Sequence, residues 1–148
     1  MPRLPQLKKE TRDYLVEAMG RVLDDFKKLD EYDESFLDAL VSVRRSILPA
    51  GKGHTAIPLK YKELIMVAVE AAAGRGERGV SHARRAVRAG ATPKEVREAL
   101  AVCIYLVGMA SWVDSGKYCL QAAEEEYEKV KRGEKFTWSG EVGSHGKK

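Results

Sequence analysis

The stretch GRGERGVSHARRAVRAGATPKE, Gly74 to Glu95, holds the clearest local signals in the chain. Its second half spells a helix stop followed at once by a helix start. Gly90 suits the left-handed residue that closes a helix, because it has no Cβ to oppose positive φ. Thr92 then supplies an N-cap hydroxyl and Pro93 a first helical residue whose missing N–H is not needed there. Glu95 is the third-position carboxylate of a capping box. One helix therefore ends near Ala89 and the next begins at Pro93.

The first half of the stretch sets a problem of charge. It holds five arginines and one histidine among glycine, alanine and valine. At ~100° per residue, Gly79, Val80, Ala83, Ala86 and Val87 share one side, and Glu77, Ser81, Arg84 and Arg88 the other. Arg75, Arg78, His82 and Arg85 form a stripe along the edge, with His82 at the border of the apolar face. Cations at a helix N-terminus are disfavoured by ~0.3–1 kcal/mol each. Arg75 and Arg78 are thus uncompensated unless anions meet them. Two guanidinia beside free backbone N–H groups would suit a carboxylate or phosphate. The plainer reading turns them to solvent or pairs them with Glu77, Glu70 or a neighbouring subunit, the commoner fate of surface arginine.

Outward from this helix, periodicity of three and four dominates. Tyr14, Leu15, Met19, Val22, Leu23 and Phe26 mark a helix from about Lys9 to Leu29. DEYDESF reads as a break, and Phe36 to Ile47 as a second helix ending before Pro49. The Gly/Pro-rich PAGKGHTAIPLK is a loop. A third helix, Leu59 to Ala73, is apolar on nearly every face, which places it centrally. Helices follow from Pro93 and from Ser111 to Lys131. The last stretch, RGEKFTWSGEVGSHGKK, reads as an extended tail in which Phe136 and Trp138 could dock on a neighbour. No alternating strand pattern competes, so the expected fold is all-α with about six helices. One domain is expected over residues 1–132, followed by the tail, 133–148.

The bulk properties narrow the function classes. The chain has 148 residues, enough to bury a core without metal or disulfide support. A formal charge of +4 is mild and does not by itself argue for nucleic acid. Arg84, Arg85 and Arg88 cluster on one helix but lack an aromatic platform or helix-turn-helix signature, so no nucleic-acid partner is expected. Cys103 and Cys119 form neither CxxC nor zinc spacing, which points to a reducing, cytoplasmic setting with no metal. The start lacks an apolar signal region and no 18-residue apolar run occurs, so no membrane partner is expected.

IPLKYKELIMVAVEAA followed by SHARRAVRAGATPKEVREAL resembles the carboxymuconolactone decarboxylase and alkylhydroperoxidase-D-like family over about residues 56–108. In the peroxidase branch, a glutamate on one helix serves a Cys-x-x-Cys-x-x-x-His run at the start of the next. Glu63 matches the glutamate and His82 the histidine, while both cysteine positions are arginines, Arg75 and Arg78. A thiol peroxidase needs a thiolate nucleophile and a resolving partner, and arginine is neither. The resemblance thus implies an alkylhydroperoxidase-D-like helical bundle, assembled as a homo-trimer or homo-hexamer, without dithiol peroxidase activity and without a cofactor. Glu63 and His82 are the expected catalytic acid–base pair, and Arg75 and Arg78 the expected binding residues for a small anionic metabolite. The resemblance to the decarboxylase branch suggests lyase-type chemistry on a carboxylated lactone, helped by cationic groups that stabilise an enolate.

Simpler roles exist for each residue. His82 can be a packing histidine and Glu63 a helix-start carboxylate. Glu70 is either a second site acid or an arginine's partner. His54, within the Gly/Pro loop, reads as solvent-exposed or as the edge of a pocket, and Tyr105 and Trp112 read as core or interface. The alternative function is a non-catalytic, oligomeric or anion-binding family member.

Overall fold

The computed structural model describes residues 7–19, 21–49 and 55–136. His54, His145, Trp138 and the tail from residue 137 lie outside the described residues. Within these limits the chain is all-α: α1 (Lys9–Met19), α2 (Asp24–Tyr32), α3 (Glu34–Ile47), α4 (Leu59–Ala72), α5 (Gly76–Arg88), α6 (Pro93–Val107), a π-helical turn (Trp112–Gly116) and α7 (Lys117–Lys131). The expected helix over Lys9–Leu29 is two helices, because the segment contains the poor helix former Gly20 and Leu23 turns to extended backbone before α2. The break at DEYDESF shrinks to one residue. Asp33 closes α2 and caps α3, its side chain accepting from the Phe36 N–H. The expected helix from Ser111 opens with the π turn before it becomes α7.

Two compact units are present, one containing α1–α3 and the other spanning Ile57–Phe136. In the first, Tyr14, Leu15, Met19, Leu37 and Val41 form a small core. The buried Tyr14 hydroxyl donates to the Leu48 carbonyl at 2.6 Å and accepts from Arg44 at 2.6 Å, so it ties the end of α3 to α1. Thr11 donates to Asp38 at 2.7 Å along the same pair of helices.

The second unit carries the residues of functional interest. Helix α4 presents Leu64, Val67 and Ala71 inward, and α5 presents Gly79, Ala83, Ala86 and Val87. Gly74, at φ +71, makes the tight reversal that lays α5 antiparallel to α4. Toward α7 and the π turn, α5 presents Gly79 against Cys119 and Gly76 against Ser115, and its Ala83 and Ala86 share one buried core with Cys119 and Ala123. The capping box at the start of α6 forms as expected: Thr92 Oγ1 accepts from the Glu95 N–H, and the Glu95 carboxylate accepts from the Thr92 N–H at 2.8 Å. Lys60 on α4 pairs with the other oxygen of that carboxylate at 2.9 Å, linking the starts of α4 and α6. Glu126 of α7, 2% exposed, is met by Arg88 Nε at 2.6 Å and Arg84 Nη1 at 3.3 Å.

The closeness of α5 and α7 is measurable. A Cβ built on Gly76 would stand 3.2 Å from Ser115 Cα, and one on Gly79 only 2.7 Å from Cys119 Sγ. Helix propensity alone would favour Gly79→Ala by about 1 kcal/mol. The clash with a buried, rigidly packed sulfur should outweigh that gain, and net destabilisation of about 1–3 kcal/mol is expected. Adding Cys119→Ala should recover most of the loss in a double-mutant cycle followed by denaturant unfolding. A Gly79→Ala protein as stable as the parent would contradict the close approach.

Candidate acid–base site on helices α4 and α5

On α4, Glu63 shares the buried stripe with Val67 and Ala71, each four residues on, so helical geometry carries its carboxylate into the interior. Glu63 is 3% exposed. A buried carboxylate without a partner is strongly unfavourable, and here the partner comes from α5. His82 Nδ1 lies 2.7 Å from Glu63 Oε2, with 17% of the His82 side chain open to solvent. His82 sits one residue off the glycine–alanine face that packs on α7, which turns its ring toward α4.

The contact fixes the imidazole's chemistry. A carboxylate without a proton only accepts, so with such a carboxylate a neutral ring carries its hydrogen on Nδ1 and its lone pair on Nε2. Nε2 is then the ring nitrogen not engaged by Glu63.

Of the four residues singled out in the sequence, Glu63 and His82 are in contact, while Arg75 is paired with a different acid. Arg75 Nε lies 2.9 Å from Glu70 Oε2, a carboxylate with only 15% of its side chain exposed. Glu70 is therefore the partner of an arginine, as the plainer reading has it. Glu63 and Glu70 are seven residues apart on α4, and His82 and Arg75 seven apart on α5. The antiparallel helices thus carry two acid–base rungs about 10 Å apart. Arg78 is exposed and stands one turn before His82 on the same stripe. Arg78 is the arginine nearer to His82 along the helix.

Sequence reasoning missed the anchoring of Arg84 and Arg88 by Glu126, although their spacing of four and the acidic run on α7 were visible signals. It also missed the π turn, whose Ser115 is fully buried. Among the described residues, no three His, Cys, Asp or Glu side chains gather to hold a metal. A surface cavity in the α1–α3 unit is lined by Lys8, Thr11, Asp38, Ser42 and Arg45 and includes none of the site residues.

Neither cysteine is placed for thiolate chemistry. Burial pushes the Cys119 thiol up to about 12, and the nearby Cys103 and Glu70 add to the effect. Cys103 is 5% exposed and donates to the Ala68 carbonyl. Both thiols belong to the apolar core. In the folded protein at pH 8, a disulfide reagent such as DTNB should therefore titrate neither thiol on the minute scale, and both should react after unfolding in guanidinium. Rapid reaction of a native thiol would contradict this placement.

A family model described as the carboxymuconolactone decarboxylase family matches residues 34–123, more than half of the chain. The fold is similar to the crystal structure of a candidate carboxymuconolactone decarboxylase from Burkholderia xenovorans LB400, with a TM-score of 0.77 and 27% identity. That similarity covers 86% of this chain and 96% of the other. No curated protein matches the chain. The helical order, the α4–α5 hairpin with its glutamate and histidine, and the family match over residues 34–123 agree: the chain belongs to the carboxymuconolactone decarboxylase family.

Proposed function

We propose that the protein is a thiol-independent acid–base enzyme acting on a small carboxylated metabolite, with lyase-type chemistry of the lactone class. The observation that carries this reading is the buried Glu63–His82 contact, 2.7 Å long with the histidine partly open to solvent. His82 is the proton-transfer group through Nε2, and Glu63 positions it. Arg78, exposed on the same stripe, meets the substrate carboxylate, and Arg75 completes the cationic edge. Such cations favour the developing negative charge of an enolate-like intermediate. Buried, free Cys103 and Cys119 suit a reducing cytoplasm and argue against peroxidase chemistry.

The second reading, a binding protein without turnover, draws on the Glu70–Arg75 pair, which leaves Arg78 as the uncommitted arginine of the two. Turnover of a panel of carboxylated lactones and dicarboxylates separates the readings. Glu63→Gln and His82→Ala should each lower kcat/KM by about 10²–10⁴, the range of a lost general acid–base group. Binding without turnover, unaffected by either substitution, would favour the second reading.

We also propose a homo-oligomer, trimer or hexamer. Val102, Tyr105, Leu106 and Met109 at the α6 end are 60%, 87%, 71% and 58% exposed, more apolar surface than an isolated helix end normally leaves in water. No helix among the described residues is long and apolar enough to cross a membrane, so a protein partner is the natural cover. Sedimentation should give a mass three or six times the 16.5 kDa chain. The double substitution Tyr105→Glu, Leu106→Glu should shift it to monomer with helicity retained. A parent protein that sediments as a monomer at micromolar concentration would contradict the assembly.

A further inference from the structure

Glu70 is the acid on α4 whose place the acid–base pair does not explain. Its neighbours on α4, Val69 and Ala71, are apolar, yet it is set against the first turn of α5. Its Cβ lies 3.6 Å from where a Cβ on Gly79 would stand. The carboxylate reaches back to Arg75 Nε at 2.9 Å. At that same turn the Arg75 side chain makes no capping hydrogen bond to α5, so the first N–H groups of a 13-residue helix lack a side-chain cap. Glu70 Oε2 is shielded from solvent and, despite its ion pair, makes no hydrogen bond of good geometry among the described residues. A second group is also left over beside the first residue of α5. Ser115 is 0% exposed, its hydroxyl has no partner among the described residues, and it lies 3.4 Å from where a Cβ on Gly76 would stand. A buried hydroxyl without a partner is uncommon and calls for a polar occupant nearby.

One guanidinium, the uncapped helix start and an orphaned hydroxyl beside Gly76 thus lie around the first turn of α5, with a carboxylate of the same chain against the guanidinium. We propose that Glu70 is a resident carboxylate that masks Arg75, so that an incoming carboxylate is met first by Arg78 and reaches Arg75 only by displacing Glu70. The proposal rests on the reading above in one respect, that the α5 edge receives a small carboxylated ligand. It adds that the edge is self-inhibited in the resting protein and that Glu70 sets how strongly it binds. The ion pair suits this role because its guanidinium is 57% exposed, so an external anion can approach while Glu70 is still in place. The carboxylate itself is largely shielded and its Oε2 makes no hydrogen bond of good geometry among the described residues, so Arg75 is met by Glu70 but not saturated by it.

The test is calorimetric titration of the full chain with succinate at fixed ionic strength. Glu70→Gln should bind succinate about tenfold more tightly than the parent, on the scale of one charge-assisted contact regained. The gain should vanish in Glu70→Gln/Arg75→Gln, and Arg78→Gln should weaken binding in both the parent and the Glu70→Gln background. Glu70→Ser provides a second neutral variant should the glutamine disturb packing, with circular dichroism as the check on folding. Unchanged affinity in the folded neutral variants, or a gain that survives loss of Arg75, overturns the proposal. Binding is read without turnover, so this result stands or falls apart from the dependence of catalysis on Glu63 and His82.

Discussion

Everything in the α4–α7 unit depends on how closely α5 can approach α7. Gly76 and Gly79 remove the side chains that would otherwise collide with Ser115 and Cys119, and alanines continue the same face along the helix. Once that face is committed, the 3.6-residue repeat leaves no freedom about where the remaining side chains point. His82 falls on the flank toward α4, and Arg84 and Arg88 fall on the flank toward the acidic run of α7. The site is thus a by-product of packing: the same glycines that let the helices close also aim the imidazole at Glu63.

The charge on α5, which looked like an invitation to an external anion, is answered mostly from within. Glu63 meets His82, Glu70 meets Arg75, and Glu126 meets Arg84 and Arg88. Two of these acids, Glu63 and Glu126, are 3% and 2% exposed. Burying a charge is unfavourable unless its partner is well placed, so such pairs add little net stability but penalise any other helix register. The basic helix is held in rotation and height by three acid contacts on two neighbours. Among them, the Glu63–His82 contact joins a histidine to a carboxylate, the arrangement that suits proton transfer.

Much of this was legible in the sequence because it rests on local rules. The Thr92–Glu95 capping box and the glycine stop at Gly90 set the α5–α6 boundary, and both formed as read. The apolar run from Leu64 marked α4 as central, but only the Glu63–Leu64–Val67–Ala71 stripe is buried and Ile65 and Val69 are 51% and 55% exposed. The pairing of Glu63 with His82 was legible only through family resemblance, since nothing in the spacing of two residues 19 apart dictates contact. The choice of partners was not legible, because it depends on the antiparallel order of α4 and α5, which sets Glu63 beside His82 and Glu70 beside Arg75. The division of the first helix near Gly20 and the π turn at Trp112–Gly116 were missed for another reason. Hydrophobic spacing continues across both, so periodicity gives no sign that the backbone departs from an α-helix.

The central claim is that Glu63 fixes His82 as a base through Nε2. Long-range ¹H–¹⁵N correlation of the histidine rings, recorded at a pH where the His82 ring is neutral, tests it most directly. The hydrogen should reside on Nδ1 in the parent protein, with Nε2 showing the shift of an unprotonated nitrogen. In Glu63→Gln the preference should relax toward a mixture of tautomers. A parent His82 protonated on Nε2, or a tautomer unaffected by loss of the carboxylate, would contradict the account.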